Sequence, residues 1–185
     1  MAKFMIQEVI DSVDAETVRL GAGTGSANNL TDLEIGKFVK LVGESRYDLA
    51  AVGNKIEAYI VAVEGATADG YTIGSIEDDG YKAVTFDGLE ATAGTGTIAI
   101  GDFVVVGTAV AKGTALTAPP RVCKATNQPG ATVTSADNVV GNINAAIAKV
   151  VDAQVNMTYG WRVVSLGSAG TGAVGTTGVI DHVGE

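Results

Sequence analysis

Hydrophobic and polar positions alternate in short runs along most of this chain. The runs are broken by glycine, asparagine, aspartate and proline, not by polar faces at helical spacing. A period of two sends successive side chains to opposite faces of a strand. On that pattern Thr17-Val18-Arg19-Leu20, Phe38–Val42 and Ile56–Val63, with Tyr59 inside the last, are predicted strands. Three Asp-Gly pairs follow, at Asp69-Gly70, Asp79-Gly80 and Asp87-Gly88. They separate Ala58–Val63, Tyr71–Ile76, Tyr81–Phe86 and Leu89–Ala91. Asp-Gly suits turns that need positive φ, and a spacing of about ten residues predicts a meander of hairpins. Ile98–Ile100 and Phe103–Val106 continue it. Val155–Leu166, which holds Trp161, and Val179–Val183 are the last strand candidates.

One short helix is predicted near 139–152. Asp137 or Asn138 would cap it, with Ile143, Ile147, Val150 and Val151 on one face. Residues 21–29, 126–138 and 167–178 read as loops from their Gly, Thr, Ser and Asn content, and Pro119-Pro120 marks an extended edge or a break. The expected fold is therefore all-β, a sandwich or barrel of short strands. Residues 1–20 form an N-terminal arm or short element, and 21–185 form a single β-rich domain.

Within that domain two stretches resemble each other. Ile35-Gly36-Lys37-Phe38-Val39 recurs 65 residues later as Ile100-Gly101-Asp102-Phe103-Val104, and Gly65-Ala66-Thr67 recurs at the same offset as Gly130-Ala131-Thr132. Each Ile-Gly-X-Phe-Val unit reads as a turn feeding a buried strand. Two related β units, 35–67 and 100–132, would account for the match.

Composition narrows the function. Hydrophobic residues make up 46% of the 185, charged residues 18% and aromatics 5%, and there are 25 glycines. That mixture suits many short strands joined by tight turns. The formal net charge is -9, and the 12 basic residues are scattered. Nucleic acid is normally met by a Lys/Arg patch, and a peripheral membrane surface by a basic amphipathic face, so neither is an expected partner. No run of about 18 apolar residues predicts a membrane helix. Acids interrupt the apolar N-terminus, so no signal peptide is expected. Cys123 is the only cysteine, which leaves no internal disulfide framework and predicts a buried, inert thiol.

Candidate chemistry is thin. Gly21-Ala-Gly-Thr-Gly25 lacks the spacing of a dinucleotide fingerprint, and Gly167–Gly175 lacks the Gly-Lys-Ser/Thr ending of a phosphate cradle. His182, the only histidine, has Asp181 beside it, but neighbours in a strand point to opposite faces. Glu77-Asp78-Asp79 and Asp87 offer oxygens for Ca²⁺ without the spacing of a calcium loop. No catalytic residue, cofactor or metal is expected.

Two stretches together carry a resemblance. They are Ile100-Gly-Asp-Phe-Val-Val-Val-Gly-Thr-Ala-Val-Ala-Lys-Gly-Thr-Ala-Leu-Thr117 and Trp161-Arg-Val-Val-Ser-Leu-Gly-Ser-Ala-Gly-Thr-Gly-Ala-Val-Gly-Thr-Thr-Gly-Val-Ile180. They resemble the small head-decoration (capsid cement) proteins of tailed bacteriophages, in style more than in one diagnostic motif. The resemblance implies a non-enzymatic virion protein on the outer capsid surface, made in the host cytoplasm, that clamps neighbouring major capsid subunits. It also implies a homo-oligomer, with a trimer favoured. The family has no catalytic residues to carry over. Residues 1–10 and 167–178 are the candidate contact segments, with Phe4, Ile6, Val9, Gly170, Gly172 and Val174 as candidate capsid or subunit contacts. The competing readings are a phage tail, fibre or receptor-binding module, which would show a glycan-binding aromatic patch, and a small hydrolase or lyase, which would show an acid-lined cleft.

Overall fold

The protein is all-β. The computed structural model describes residues 15–25, 27–126, 128, 147–148, 150–151 and 160–184. Through them run strands β1 (Glu16–Leu20), β2 (Phe38–Gly43), β3 (Arg46–Leu49), β4 (Ala58–Ala66), β5 (Thr72–Glu77) and β6 (Tyr81–Leu89). The remainder are β7 (Thr92–Ala93), β8 (Phe103–Val106), β9 (Arg121–Lys124), β10 (Gly160–Ser165) and β11 (Thr177–Gly184). The chain divides into two compact units. The first takes the described residues of Met1–Ala50, Glu57–Gly80 and Val110–Ala118. The second takes those of Ala51–Ile56, Tyr81–Ala109 and Pro119–Glu185.

In the first unit the strands close into a barrel in the order β1-β3-β2-β4-β5. β1 and β3 run parallel, and every other pair is antiparallel. The two-residue period of a strand divides the side chains between faces: along β5, Thr72, Gly74 and Ile76 are buried and their neighbours are not. Val18, Leu20, Leu30, Val39, Ala58, Ile60 and Ile76 fill the interior, with Tyr47, Leu49 and Val63 packed against them. Full burial of one such aliphatic side chain stabilises the fold by about 1.5–3 kcal/mol. Closing the sheet also pairs the edge N–H and C=O groups that an open sheet would leave bare.

The second unit repeats this architecture. Its strands follow the order β11-β10-β8-β9-β6, the pairing of β11 with β6 closes the ring, and β7 extends from β6 outside it. Here β6 and β9 are the parallel pair, matching β1 and β3. The registers agree residue by residue. Leu20 faces Tyr47 where Phe86 faces Val122, and Val39 faces Ala58 where Val104 faces Trp161. Val18 faces Gly74 where Val84 faces Gly178, and Ile60 faces Ile76 where Val163 faces Ile180. Even an irregularity recurs, between Ile60 and Ala62 in β4 and between Val163 and Ser165 in β10. The two interiors thus use equivalent positions with different volumes. Ala58 becomes Trp161 and Leu20 becomes Phe86, while Ile60 becomes Val163, and all six are buried.

The Ile-Gly-X-Phe-Val match lies at equivalent places, entering β2 and β8. The other short match does not extend it: the counterpart of β4, which holds Gly65 and Ala66, is β10, and Gly130-Ala131-Thr132 lies outside the described residues. The repeat is therefore set by strand order and register, and it spans more of the chain than 35–67 and 100–132. The strand predicted at Thr17–Leu20, inside the N-terminal arm or short element of residues 1–20, is β1, the first barrel strand.

Several local expectations change. Asp69-Gly70 does join an antiparallel pair, β4 and β5. Asp79-Gly80 instead carries the chain from the first unit to the second. Asp87-Gly88 lies inside β6, where the register against β9 shifts between Phe86 and Leu89. The meander of successive hairpins is thus replaced by barrels whose neighbours are often distant in sequence. Ile98–Ile100 is a turn with one isolated bridge nearby, Thr97 to Ala173. β3 and β9 are too short to stand out in the hydrophobic pattern, and each is held as a strand by partners on both sides. Ile147, Ala148, Val150 and Val151 have helical backbone, and the rest of the helix predicted near 139–152 lies outside the described residues. No helix among the described residues is long and apolar enough to cross a membrane.

Candidate functional site

The repeated Ile-Gly-X-Phe-Val unit builds the same turn on each barrel and leaves its isoleucine exposed. In the first, Thr31 opens a 3-10 turn over Asp32–Glu34. Its hydroxyl accepts from the Leu33 N–H, and the Glu34 carboxylate reaches back to the Thr31 N–H at 2.7 Å, which is a capping box. The chain then passes Ile35 and turns at Gly36 with φ +85°, a conformation that a side chain with a Cβ resists. Gly36 N–H donates to the Ile60 carbonyl, Ile60 N–H donates to the Lys37 carbonyl, and Phe38 begins β2. In the second barrel Gly101 turns with φ +90°. Its N–H donates to the Val163 carbonyl, and Val163 N–H donates to the Asp102 carbonyl. Phe38 and Phe103 both point inward and are buried.

The isoleucine before each glycine does the opposite. Ile35 is 41% exposed and Ile100 is 63% exposed. Neither contributes a full burial to its barrel core, although each stands where a polar residue would cost less in water. Leu33 is exposed beside Ile35 on the first corner. The sequence pattern reads each unit as a turn feeding a buried strand and does not say that the isoleucines at the turns face water. The signal that could have marked them was the repeat itself, which keeps Ile at the turn while the X position changes from Lys37 to Asp102.

The Gly-rich loop 167–178 supports the second corner. Ile98 N–H donates to the Gly172 carbonyl at 3.0 Å, and Thr97 bridges Ala173. A Cβ on Gly172 would collide with the Ile98 carbonyl oxygen, so this glycine is buried against the turn and offers no side chain to a partner. Gly170 is exposed in a left-handed cap after a second 3-10 turn, with open space where a Cβ would point. Val174 is exposed. The loop is tied down by Phe86 N–H to the Thr176 carbonyl, by Gly175 N–H to the Phe86 carbonyl, and by the Thr176 hydroxyl to the Thr171 and Ala173 carbonyls. Of the candidate contacts, Gly170 and Val174 therefore reach the surface and Gly172 does not. Phe4, Ile6 and Val9 lie outside the described residues.

Asp87, Glu77, His182 and Cys123, weighed from the sequence, each meet a neighbour within their own barrel. Asp87 accepts from the Thr108 N–H (2.8 Å), the Thr108 hydroxyl (2.5 Å) and the Arg121 guanidinium (2.8 Å). Burial pushes its carboxyl up, but these donors and the Arg121 charge outweigh burial and hold it below the usual carboxylate range. Glu77 accepts from the Tyr59 hydroxyl. Burial first, then that hydrogen bond and the nearby charges of Glu77 and Asp79, raise the Tyr59 phenol well above its ordinary value. His182 faces Trp161 across β10 and β11, with ring centroids 5.4 Å apart. Cys123 is buried beside Val105 and Ala125. Burial, reinforced by the Asp87 and Glu90 charges, pushes its thiol up to about 11. No group of three or more His, Cys, Asp or Glu side chains among the described residues is placed to share a metal ion. No protein-family model, curated protein or solved structure matches the chain.

Proposed function

We propose that this is a structural, non-enzymatic virion protein that binds the outer surface of a tailed-phage capsid and stabilises it by clamping neighbouring major capsid subunits. The observation that carries the reading is the repeated corner: two barrels of one architecture, each presenting an exposed isoleucine at the same turn. Two copies of one contact suit a partner that is itself repeated on a lattice. Linked weak contacts to such a partner gain strength through effective concentration, without any single deep pocket. The resemblance of residues 100–117 and 161–180 to head-decoration proteins supports the same reading. The protein acts as a homo-oligomer, with a trimer as the expected state.

Light scattering on the purified protein, followed by co-sedimentation with expanded phage heads, tests this. A defined oligomer that pellets with heads in a saturable ratio is the expected result. A protein that never binds heads at any concentration overturns it and moves the chain to the tail or fibre class, for which a glycan screen is the next assay.

A further inference from the structure

Because the two barrels share strand order and register, each serves as a control for the other. Two differences between them stand out, and they meet. The first is an insertion. Only Glu44 and Ser45 join β2 to β3, whereas the equivalent connection from β8 to β9 runs from Gly107 to Pro120. The middle of that connection, Val110–Ala118, folds as part of the first unit. The second difference is a buried charge pair. The first barrel carries Glu34 and Lys37 at its corner, 0% and 5% exposed. Each barrel ties its corner with the same backbone bond, Lys37 N–H to the Glu34 carbonyl in one and Asp102 N–H to the Ala99 carbonyl in the other. The counterparts of Glu34 and Lys37 are thus Ala99 and Asp102, and Asp102 pairs with Lys124 at 2.8 Å, so the second corner folds with an ion pair to β9 in place of the buried Glu-Lys pair.

Glu34 Oε1 and Lys37 Nζ go to the insertion, while Glu34 Oε2 stays with the Thr31 N–H and hydroxyl. Gly113 N–H donates to Glu34 Oε1 at 2.6 Å, and Lys37 Nζ donates to the Ala111 carbonyl at 2.9 Å. The two charges lie 3.5 Å apart. Leu116 sits over Gly36, where its Cδ1 would be 3.2 Å from an added Cβ. Lys112 Nζ donates to the Ala27 carbonyl at 2.5 Å. At its roots the connection is fixed separately, by Asp87 gripping Thr108 at one end and Arg121 at the other. Burying a charge pair costs desolvation that only good hydrogen bonds offset. Here those bonds are made by the insertion's backbone together with the Thr31 capping box.

We infer that Glu34 and Lys37 are a latch, present in the first barrel alone, whose role is to hold the β8–β9 connection as a strap on that barrel. The strap is a locally opening element: with the latch broken, Val110–Ala118 is released while the barrel beneath it stays folded.

Amide hydrogen exchange on the full-length chain reads this directly. Glu34→Gln and Lys37→Met each remove one charge and keep the side-chain bulk. Glu34→Gln/Lys37→Met removes both charges and keeps the bulk of both side chains. In each variant the amides of Gly113 and Thr114 are expected to exchange roughly tenfold faster or more, with those of β4 and β5 unchanged. Leu116→Ala, which leaves both charges in place, is expected to loosen the same strap amides by a smaller factor. Strap amides as protected as in the parent chain, in both single variants, would overturn the latch. So would a loss of protection spread evenly over β1 to β5, or failure of all three latch variants to fold while Leu116→Ala folds, because the pair would then belong to the barrel core.

Discussion

Gly74 and Gly178 occupy one and the same place in two barrels. A Cβ built on Gly74 lands on the Ala62 carbonyl oxygen and 2.5 Å from Cδ1 of Leu20. One built on Gly178 lands on Cζ of Phe86 and 2.5 Å from the Ser165 carbonyl oxygen. Ala62 corresponds to Ser165 and Leu20 to Phe86, so each barrel brings an irregular strand and a large core side chain against a bare backbone. Neither glycine has positive φ, so the requirement is space and not backbone conformation.

Gly74→Ala and Gly178→Ala are accordingly expected to destabilise their barrels by a similar amount, about 1–3 kcal/mol each, through overpacking. Chemical denaturation followed by tryptophan fluorescence and circular dichroism measures this. Trp161 reports the second barrel alone, so the Gly178 variant moves the fluorescence transition. An unchanged midpoint in either variant would mean that the close approach relaxes without cost.

Asp87 ties both roots of the β8–β9 connection, and its carboxylate is nearly buried. Asp87→Ala is expected to cost about 2 kcal/mol, less than a fully buried pair because Arg121 is half-exposed. Asp87→Asn keeps an acceptor for Thr108 and is expected to cost about half as much. Urea titration of the three chains compares them, and a variant as stable as the parent would show that the network contributes nothing net.

The same carboxyl fixes a pH dependence. Asp87 and Glu34 both titrate below their usual range in the folded chain. For Glu34, burial opposes the shift, but the Gly113 and Thr31 N–H groups, the Thr31 hydroxyl and Lys37 outweigh it. A carboxyl depressed by folding contributes stability that is complete above its unfolded value, near 4, and that drains away as pH falls through the folded value. Unfolding free energy is therefore expected to be flat from about pH 5 to about pH 8 and to fall in acid. Above that window the raised Cys123 thiol and Tyr59 phenol lower it again. Asp87→Asn shows a shallower fall, and a parallel curve for that variant would remove Asp87 from the account.

Cys123 is expected to resist thiol reagents in the native state. Burial and the thiol's raised pKa both keep the reactive thiolate scarce at pH 8. A disulfide-exchange reagent should react in step with unfolding, and rapid labelling of the folded chain would show that the Val105–Cys123–Ala125 cluster opens on its own.

Ile35→Asp and Ile100→Asp change exposed side chains, so each is expected to leave stability within about 0.5 kcal/mol. On phage heads each is expected to weaken binding, and the double variant to weaken it far more than either alone, as two linked contacts require. Full head occupancy by the double variant would remove these corners as the contact, whereas a parent chain that does not bind heads would remove the decoration reading itself.

Much of the fold class was legible from the order of residues. The β-branched run in Ala58–Val63 marks a strand because branched side chains pack well on a pleated, half-buried surface. The match of Ile35–Val39 to Ile100–Val104 pointed at a repeat because a turn with positive φ, followed by an inward Phe, restricts both positions. The rest of the repeat was hidden, since Ala58 and Trp161, or Leu20 and Phe86, share an environment without sharing a size. Likewise Arg46–Leu49 and Arg121–Lys124 are strands by virtue of partners far away in sequence, and no local pattern announces them.

The sequence by itself determined that this chain makes short strands and glycine turns around an aliphatic core, because period, propensity and turn chemistry are local properties. Only the tertiary structure decided that those strands close into two matching barrels, and that Ile35 and Ile100 face water. It alone placed Glu34 and Lys37 against the Val110–Ala118 strap. Those outcomes depend on which strand pairs with which, and pairing is settled by packing between residues that the chain keeps far apart.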